Sequence, residues 1–163
     1  YEDSNASLRT PLMEAISDKK PEMVELMLKH GANIQQQNYS GWAAIHYAAR
    51  STIEMIKLIL QAGGDLQSVS FNGATPLHLA VMKGKRENVL YLLDKGADIE
   101  AKDFYGRTPL DLAACGYGGI EMLITLLERK ADLKALSSGC AQMLHGAARI
   151  YPDVDAAISQ AQK

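Results

Sequence analysis

The sequence predicts an all-α solenoid of about five stacked helix–turn–helix units joined by β-hairpin-like loops, and three observations predict it. The first is a period. Thr10-Pro11-Leu12, Thr75-Pro76-Leu77-His78 and Thr108-Pro109-Leu110-Asp111 repeat one string, with worn copies at Ala43-Ala44-Ile45-His46 and Gln142-Met143-Leu144-His145. Their aliphatic residues, Leu12, Ile45, Leu77, Leu110 and Leu144, are spaced by 33, 32, 33 and 34. The second is a phase. A Gly-Ala-Asp landmark or its variant ends at Asn33, Asp65, Asp98 and Asp132, each 12 residues before the next aliphatic landmark. All length variation therefore falls in the other half of the unit, around Arg50-Ser51 and Gly116 to Gly119. The third is a column of small residues at Ala15, Ala48, Ala80, Ala113 and Ala147, which lets successive helices approach closely. Units of this length cannot bury a hydrophobic face alone and must stack.

Each element of the unit has its own warrant. Thr-Pro-Leu reads as a helix start, because the Thr hydroxyl caps an orphan N–H and Pro suits the first helical position, where its missing donor costs nothing. The second helix is more aliphatic. Val24, Met27 and Leu28 are matched by Ile56, Ile59 and Leu60, then Val89, Leu92 and Leu93, then Leu123, Leu126 and Leu127. This i, i+3, i+4 spacing places each trio on one core-facing stripe. Gly31, Gly63 and Gly96 stand in the slot of a left-handed helix C-cap. Gly41, Gly73 and Gly106 recur where a hairpin must reverse before the next helix. The resulting units span approximately 1–37, 38–69, 70–102, 103–136 and 137–163.

These residues resemble the ankyrin repeat, with its hairpin Gly, Thr-Pro-Leu-His-x-Ala and terminal Gly-Ala-Asp. The likeness covers essentially the whole chain, and the copy opening at Ser70 is nearly ideal. Four departures stand out. Leu8 replaces the first hairpin Gly, Lys130 a helix-ending Gly, and Cys140 the last hairpin Gly. A non-glycine residue held left-handed costs roughly 1 kcal/mol. The final stretch from Asp153, with Ser159, Gln160, Gln162 and Lys163, fits a polar capping helix. The Asn that the family often carries two residues beyond the aspartate, a target for hydroxylation, is replaced by Gln35, Gln67, Glu100 and Lys134.

Composition narrows function. The 163 residues suit one domain, 47% hydrophobic and 22% charged. Seventeen basic against nineteen acidic side chains give a formal charge of -2, without the basic excess a nucleic-acid binder needs. Apolar runs are too short to insert into a membrane, and no leader-like opening argues for secretion. The chain starts at Tyr1, as an excised piece of something longer does. Cys115 and Cys140 lie 25 residues apart in no ligand pattern, so they read as two reduced, partly buried thiols in a cytoplasmic, reducing setting.

His46, His78 and His145 occupy equivalent slots of different units, which argues against a shared metal ion. The resemblance implies that each hydrogen-bonds within its own turn. A Cys115/His145 nucleophile pair has no orienting third group, and Gly116, Gly118 and Gly119 lack the Lys-Ser or Lys-Thr of a phosphate loop. No catalytic residue, metal, cofactor or small-molecule substrate is expected.

The informative residues are aromatic. Tyr39, Trp42, Phe71, Phe104 and Tyr105 fall at hairpin tips, half of the chain's ten aromatics. Aromatic and Arg side chains dominate interface hot spots. Arg107 at the fourth tip, and Arg50, Met82 and Lys83 at the groove-facing ends of inner helices, extend the same surface. Trp42 follows Gly41 at a variable position with no evident structural demand for a ring, and is the expected anchor. The expected function is a protein-interaction module that binds another protein or peptide segment. Two alternatives are a regulatory or substrate-targeting segment of a multidomain enzyme, and an effector or adaptor acting in a host cell.

Overall fold

The computed structural model describes residues 9–161, so Leu8, Gln162 and Lys163 lie outside the described residues. Helices come in pairs: α1 (Pro11–Ser17) with α2 (Pro21–Lys29), α3 (Ala44–Arg50) with α4 (Ile53–Gln61), α5 (Pro76–Met82) with α6 (Arg86–Asp94), and α7 (Pro109–Ala114) with α8 (Gly119–Glu128). A 3-10 turn, Leu133–Ala135, leads to α9 (Ser138–Ile150) and α10 (Pro152–Ala161). The odd-numbered helices stack on one another in chain order, as do the even-numbered ones outside them. Among the described residues no strand forms, and the fold is the all-α solenoid expected.

The inner helices begin as their sequence dictates. Thr10, Thr75 and Thr108 cap them by accepting from the N–H of Met13, His78 and Asp111. Ala48 and Ala80 are fully buried, and the aliphatic stripes of the outer helices, centred on Val24, Ile56, Val89 and Leu126, fill the core between layers.

Polar side chains then stitch each unit to the next. Ser51 Oγ donates to the Ile16 carbonyl at 2.9 Å, and the buried Asn88 donates to Ala49 at 2.9 Å, so carbonyls freed at helix ends find donors in a neighbour. Gln35 and Gln67 use their side-chain amides in the same way, each 3.3 Å from the carbonyl of Gly63 or Gly96 in the following unit. Glu100 reverses the polarity and accepts from Asp132 N–H at 2.7 Å.

The hairpins form a ladder of their own. Phe71 N–H donates to Ser40 and Phe104 N–H to Asn72, both at 3.0 Å. Gly41 and Gly73 are left-handed, with φ of 74° and 79°, and a Cβ on either would lie within 2.6 Å of the Phe71 or Phe104 backbone nitrogen. Glycine is demanded there twice, by the turn and by the aromatic residue of the next hairpin closing over it.

The fifth unit departs from expectation. Cys140 occupies no hairpin turn: it lies in the first turn of α9, a 13-residue helix capped by Ser137 that runs through Gln142-Met143-Leu144-His145. With no proline or Thr-Pro step to start a helix later, Ser137 starts it earlier and the hairpin disappears. Lys130 does adopt the left-handed conformation of the glycine it replaces, with φ of 62°. The closing segment is helical as expected, and Val154 and Ala157 of α10 are buried while Ser159 and Gln160 face out.

The cysteines correct a second expectation. Cys115 and Cys140 are joined in a disulfide, with Cα atoms 5.7 Å apart, so neither is a reduced thiol. Their distance along the chain hides that the C-cap of α7 stacks against the first turn of α9. The argument for a reducing compartment that rested on free thiols falls with them, as does any nucleophilic role for Cys115.

Candidate functional site: hairpin tips and concave wall

The residues singled out above separate into two surfaces. At the tips, Tyr39, Phe71, Phe104 and Tyr105 are 62%, 65%, 73% and 73% exposed, far beyond what aromatic rings in a packed loop retain. Phe71 and Phe104 each lay one ring edge against the preceding hairpin glycine and leave the rest to solvent. Arg107 is organised by its own hairpin. Its guanidinium pairs with the buried Asp103 carboxylate at 2.7 Å and lies 4.8 Å from the Tyr105 ring centre, so the two side chains form one ordered cation–aromatic edge.

Trp42 does not join that row. Its half-buried ring meets Tyr47 edge-on at 5.4 Å between centres, and the Arg50 guanidinium covers it at 4.8 Å. Tyr47 in turn accepts from the Asn38 amide through its hydroxyl at 2.8 Å and carries Arg9 at 5.4 Å on its ring. Trp42 therefore has the structural demand that its variable position concealed: it clamps Tyr47 and Arg50 on the concave wall. Truncating a half-buried indole of this kind removes about 2 kcal/mol of packing. Trp42→Ala is expected to lower the thermal midpoint by about 4–8 °C for a chain of this size, as differential scanning calorimetry will show. A shift below 1 °C would return the ring to a purely recognition role.

Met82 packs partly against the core beside the exposed Lys83 at the end of α5. Arg9, Lys19, Tyr47 and Lys85, absent from the sequence-based set, join Arg50 and Lys83 around one groove of about 270 Å³. Their one shared signal is position, since all but Tyr47 flank or end an inner helix.

The histidines have structural work. His78 Nδ1 bonds the Thr75 hydroxyl at 2.8 Å and its Nε2 bonds the Arg107 carbonyl at 3.0 Å, so it ties its own helix start to the next hairpin. His46 Nδ1 accepts from Ala43 N–H at 3.1 Å. Burial pushes His46 down to about 4, although backbone hydrogen bonds at Ala74, Ser68 and Ala43 oppose the shift; burial lowers His78 as well. His145 is different. It is exposed and bonds the Ala141 carbonyl within α9, away from any capping Thr.

Asp111 fills the histidine slot of the fourth unit. It accepts from Thr108 N–H at 2.9 Å and, through its other oxygen, from Ser137 N–H at 2.9 Å. Burial pushes its carboxyl up, but the Thr108 and Ser137 donors together outweigh that and hold it below the usual carboxylate range.

Comparison with known proteins agrees with this geometry. A family model described as ankyrin repeats (3 copies) matches residues 2–70 and 52–137. The chain is also similar to the B-cell lymphoma 3 protein homolog of Mus musculus, 46% identical over 41 residues. That match takes in 25% of this chain and only 9% of the relative's length.

Proposed function

The chain belongs to the ankyrin-repeat family, and from that premise we propose that it is a non-enzymatic protein–protein interaction module whose hairpin tips and concave inner-helix face grip a partner chain. One observation carries the proposal: four hairpin-tip aromatics stand more than three-fifths exposed, Tyr39, Phe71 and Phe104 at the same position of successive hairpins and Tyr105 one residue further on. Rings so placed cost apolar hydration and return it on being covered. The partner is a protein or peptide segment, and Tyr105 with Arg107 makes its most ordered contact. Ankyrin-repeat proteins commonly work inside cells, and on that habit alone the setting is proposed to be cytoplasmic. Among the described residues no helix is long and apolar enough to cross a membrane.

Affinity capture on the immobilised chain, read by mass spectrometry, tests the proposal. Tyr39→Ala/Tyr105→Ala removes two largely exposed rings, the second of which also rests against Arg107. It is expected to cut capture of the leading partner by at least about thirtyfold, the effect of losing roughly 2 kcal/mol at an interface anchor. Equal capture by both proteins, or none by either, would overturn it.

A further inference from the structure

The hairpin ladder stops one rung short. At its first rung the Ser40 carbonyl accepts from Phe71 N–H, and at its second the Asn72 carbonyl accepts from Phe104 N–H, both at 3.0 Å. Each Phe also lies over the glycine that follows its acceptor, so a Cβ on Gly41 or Gly73 would meet the Phe ring at 2.6 Å. Tyr105 and Gly106 hold the same places in the fourth hairpin, and Gly106 makes the same left-handed turn, with φ of 75° beside 74° and 79°. Among the described residues nothing covers them: a Cβ on Gly106 would meet no atom within 4 Å, and no backbone N–H donates to the Tyr105 carbonyl.

The fifth unit is the cause. Ser138 follows Phe104 by 34 residues, as Leu144 follows Leu110, and so stands where a third Phe would. It opens α9 instead, exposed together with Gly139. The base of the slot is closed, because Ser137 N–H already bonds Asp111 at 2.9 Å. A further whole repeat therefore has no seat there, whereas the tip of a turn has. The slot lies three units along the stack from α1, and Ala161, at the end of α10, packs against the core.

The chain itself fills this kind of slot twice. Both occupants are tight turns with Phe at the second position, closed by Gly73 N–H to Ser70 at 2.8 Å and by Gly106 N–H to Asp103 at 2.9 Å. The N–H of that second position has no acceptor inside its own turn, so it donates outward while the ring covers the glycine. Resting on the interaction-module reading above, we propose that Tyr105 and Gly106 form a docking slot for a tight turn of the partner protein that carries an exposed Phe at its second position. The partner adds one rung to the ladder: its Phe N–H donates to the Tyr105 carbonyl and its ring lies on Gly106. The main-chain bond supplies affinity and the ring supplies selectivity, as when a strand joins an open sheet edge.

The probe is a backbone-cyclised peptide carrying Ser-Phe-Asn-Gly-Ala-Thr, the order at 70–75, titrated into the intact 15N-labelled chain. Expected are saturable amide shifts centred on Gly106, whose nitrogen follows the accepting carbonyl, and on Arg107. One bond and one ring give weak binding, with Kd on the order of 0.1–1 mM. N-methylation of the peptide's Phe, or its replacement by Ala, should weaken binding at least about tenfold. Gly106→Ala sets a Cβ where the ring would lie and should do the same. That variant strains a left-handed turn, so Gly106→Asn, which tolerates the conformation, is measured beside it, with binding lost and the thermal midpoint kept. Absent shifts, shifts centred away from the fourth hairpin, equal binding of the N-methylated peptide or full binding to Gly106→Asn would each overturn the proposal. Tighter binding of the linear peptide would reject the turn, and self-association abolished by Gly106→Asn would give the slot to a second copy. Capture that still depends on Tyr39 and Tyr105 while the cyclic peptide fails would reject this occupant and leave the module reading intact, since Tyr105→Ala keeps the backbone carbonyl.

Discussion

Reduction of the Cys115–Cys140 bond is expected to lower the thermal midpoint by roughly 7–14 °C. The bond closes a loop of 25 residues, and the entropy removed from the unfolded chain by such a loop corresponds to about 3.5 kcal/mol. Cys115 is exposed while Cys140 is buried, so a reductant has access from one side. The loss will fall unevenly. In a solenoid each unit leans on its neighbours, and α9 and α10 have a described neighbour on one side alone. The strained Lys130 lies in the same stretch. Hydrogen exchange under dithiothreitol should therefore show residues 133–161 opening first, with α3 to α6 still protected. Identical midpoints with and without reductant, together with uniform exchange, would show that the bond contributes nothing.

Acidification should destabilise the fold in a window set by its buried histidines. His46 is neutral when folded and titrates at about 4 instead of 6.5. Between those values the unfolded chain binds a proton that the folded chain refuses, so stability rises with pH across the window and falls on acidification. The full stabilisation is present above pH 6.5. About 2 kcal/mol is lost by pH 5 and about 3 by pH 4, where the folded imidazole begins to charge as well. His78 is lowered for the same reason and adds to the loss. Asp111 acts elsewhere: its carboxyl is held low, so its contribution is lost only as pH falls below the usual carboxylate value. Urea midpoints measured from pH 7.5 to 4.5 check this, with His46→Gln expected to flatten part of the slope. A midpoint constant over that range would contradict the burial of both rings.

How much of this was legible in the sequence depends on whether the cause was local. Thr10, Thr75 and Thr108 cap helices because of residues three positions away, and Ala48 and Ala80 are small because the same column repeats; spacing reveals both. The exposed rings of Tyr39, Phe71, Phe104 and Tyr105 were legible as tip residues for the same reason. Cause at a distance was not. The Cys115–Cys140 bond, the clamp of Trp42 on Tyr47, and the meeting of Arg9 and Lys19 with Lys83 and Lys85 all depend on which unit faces which after stacking. The fifth unit misled differently. Leu144 and Ala147 kept the period while the Thr-Pro step that starts the helix was missing, so the helix begins earlier than that landmark implied.

The pair Asp111 and Ser137 has a consequence for anyone who would recombine such units. His78 offers its ring to a carbonyl, that of Arg107 in the next hairpin, whereas Asp111 offers an acceptor to an N–H. One slot thus declares the polarity of whatever follows it. Grafting a hairpin-bearing unit behind the fourth unit, in place of α9 and α10, would set a carbonyl oxygen against a carboxylate oxygen, two acceptors with no hydrogen between them. Splicing the α9–α10 unit behind His78 would leave its leading N–H to find the ring in a single tautomer. Units of this chain are therefore not freely interchangeable bricks: a shuffled array joins cleanly only where donor and acceptor are exchanged together.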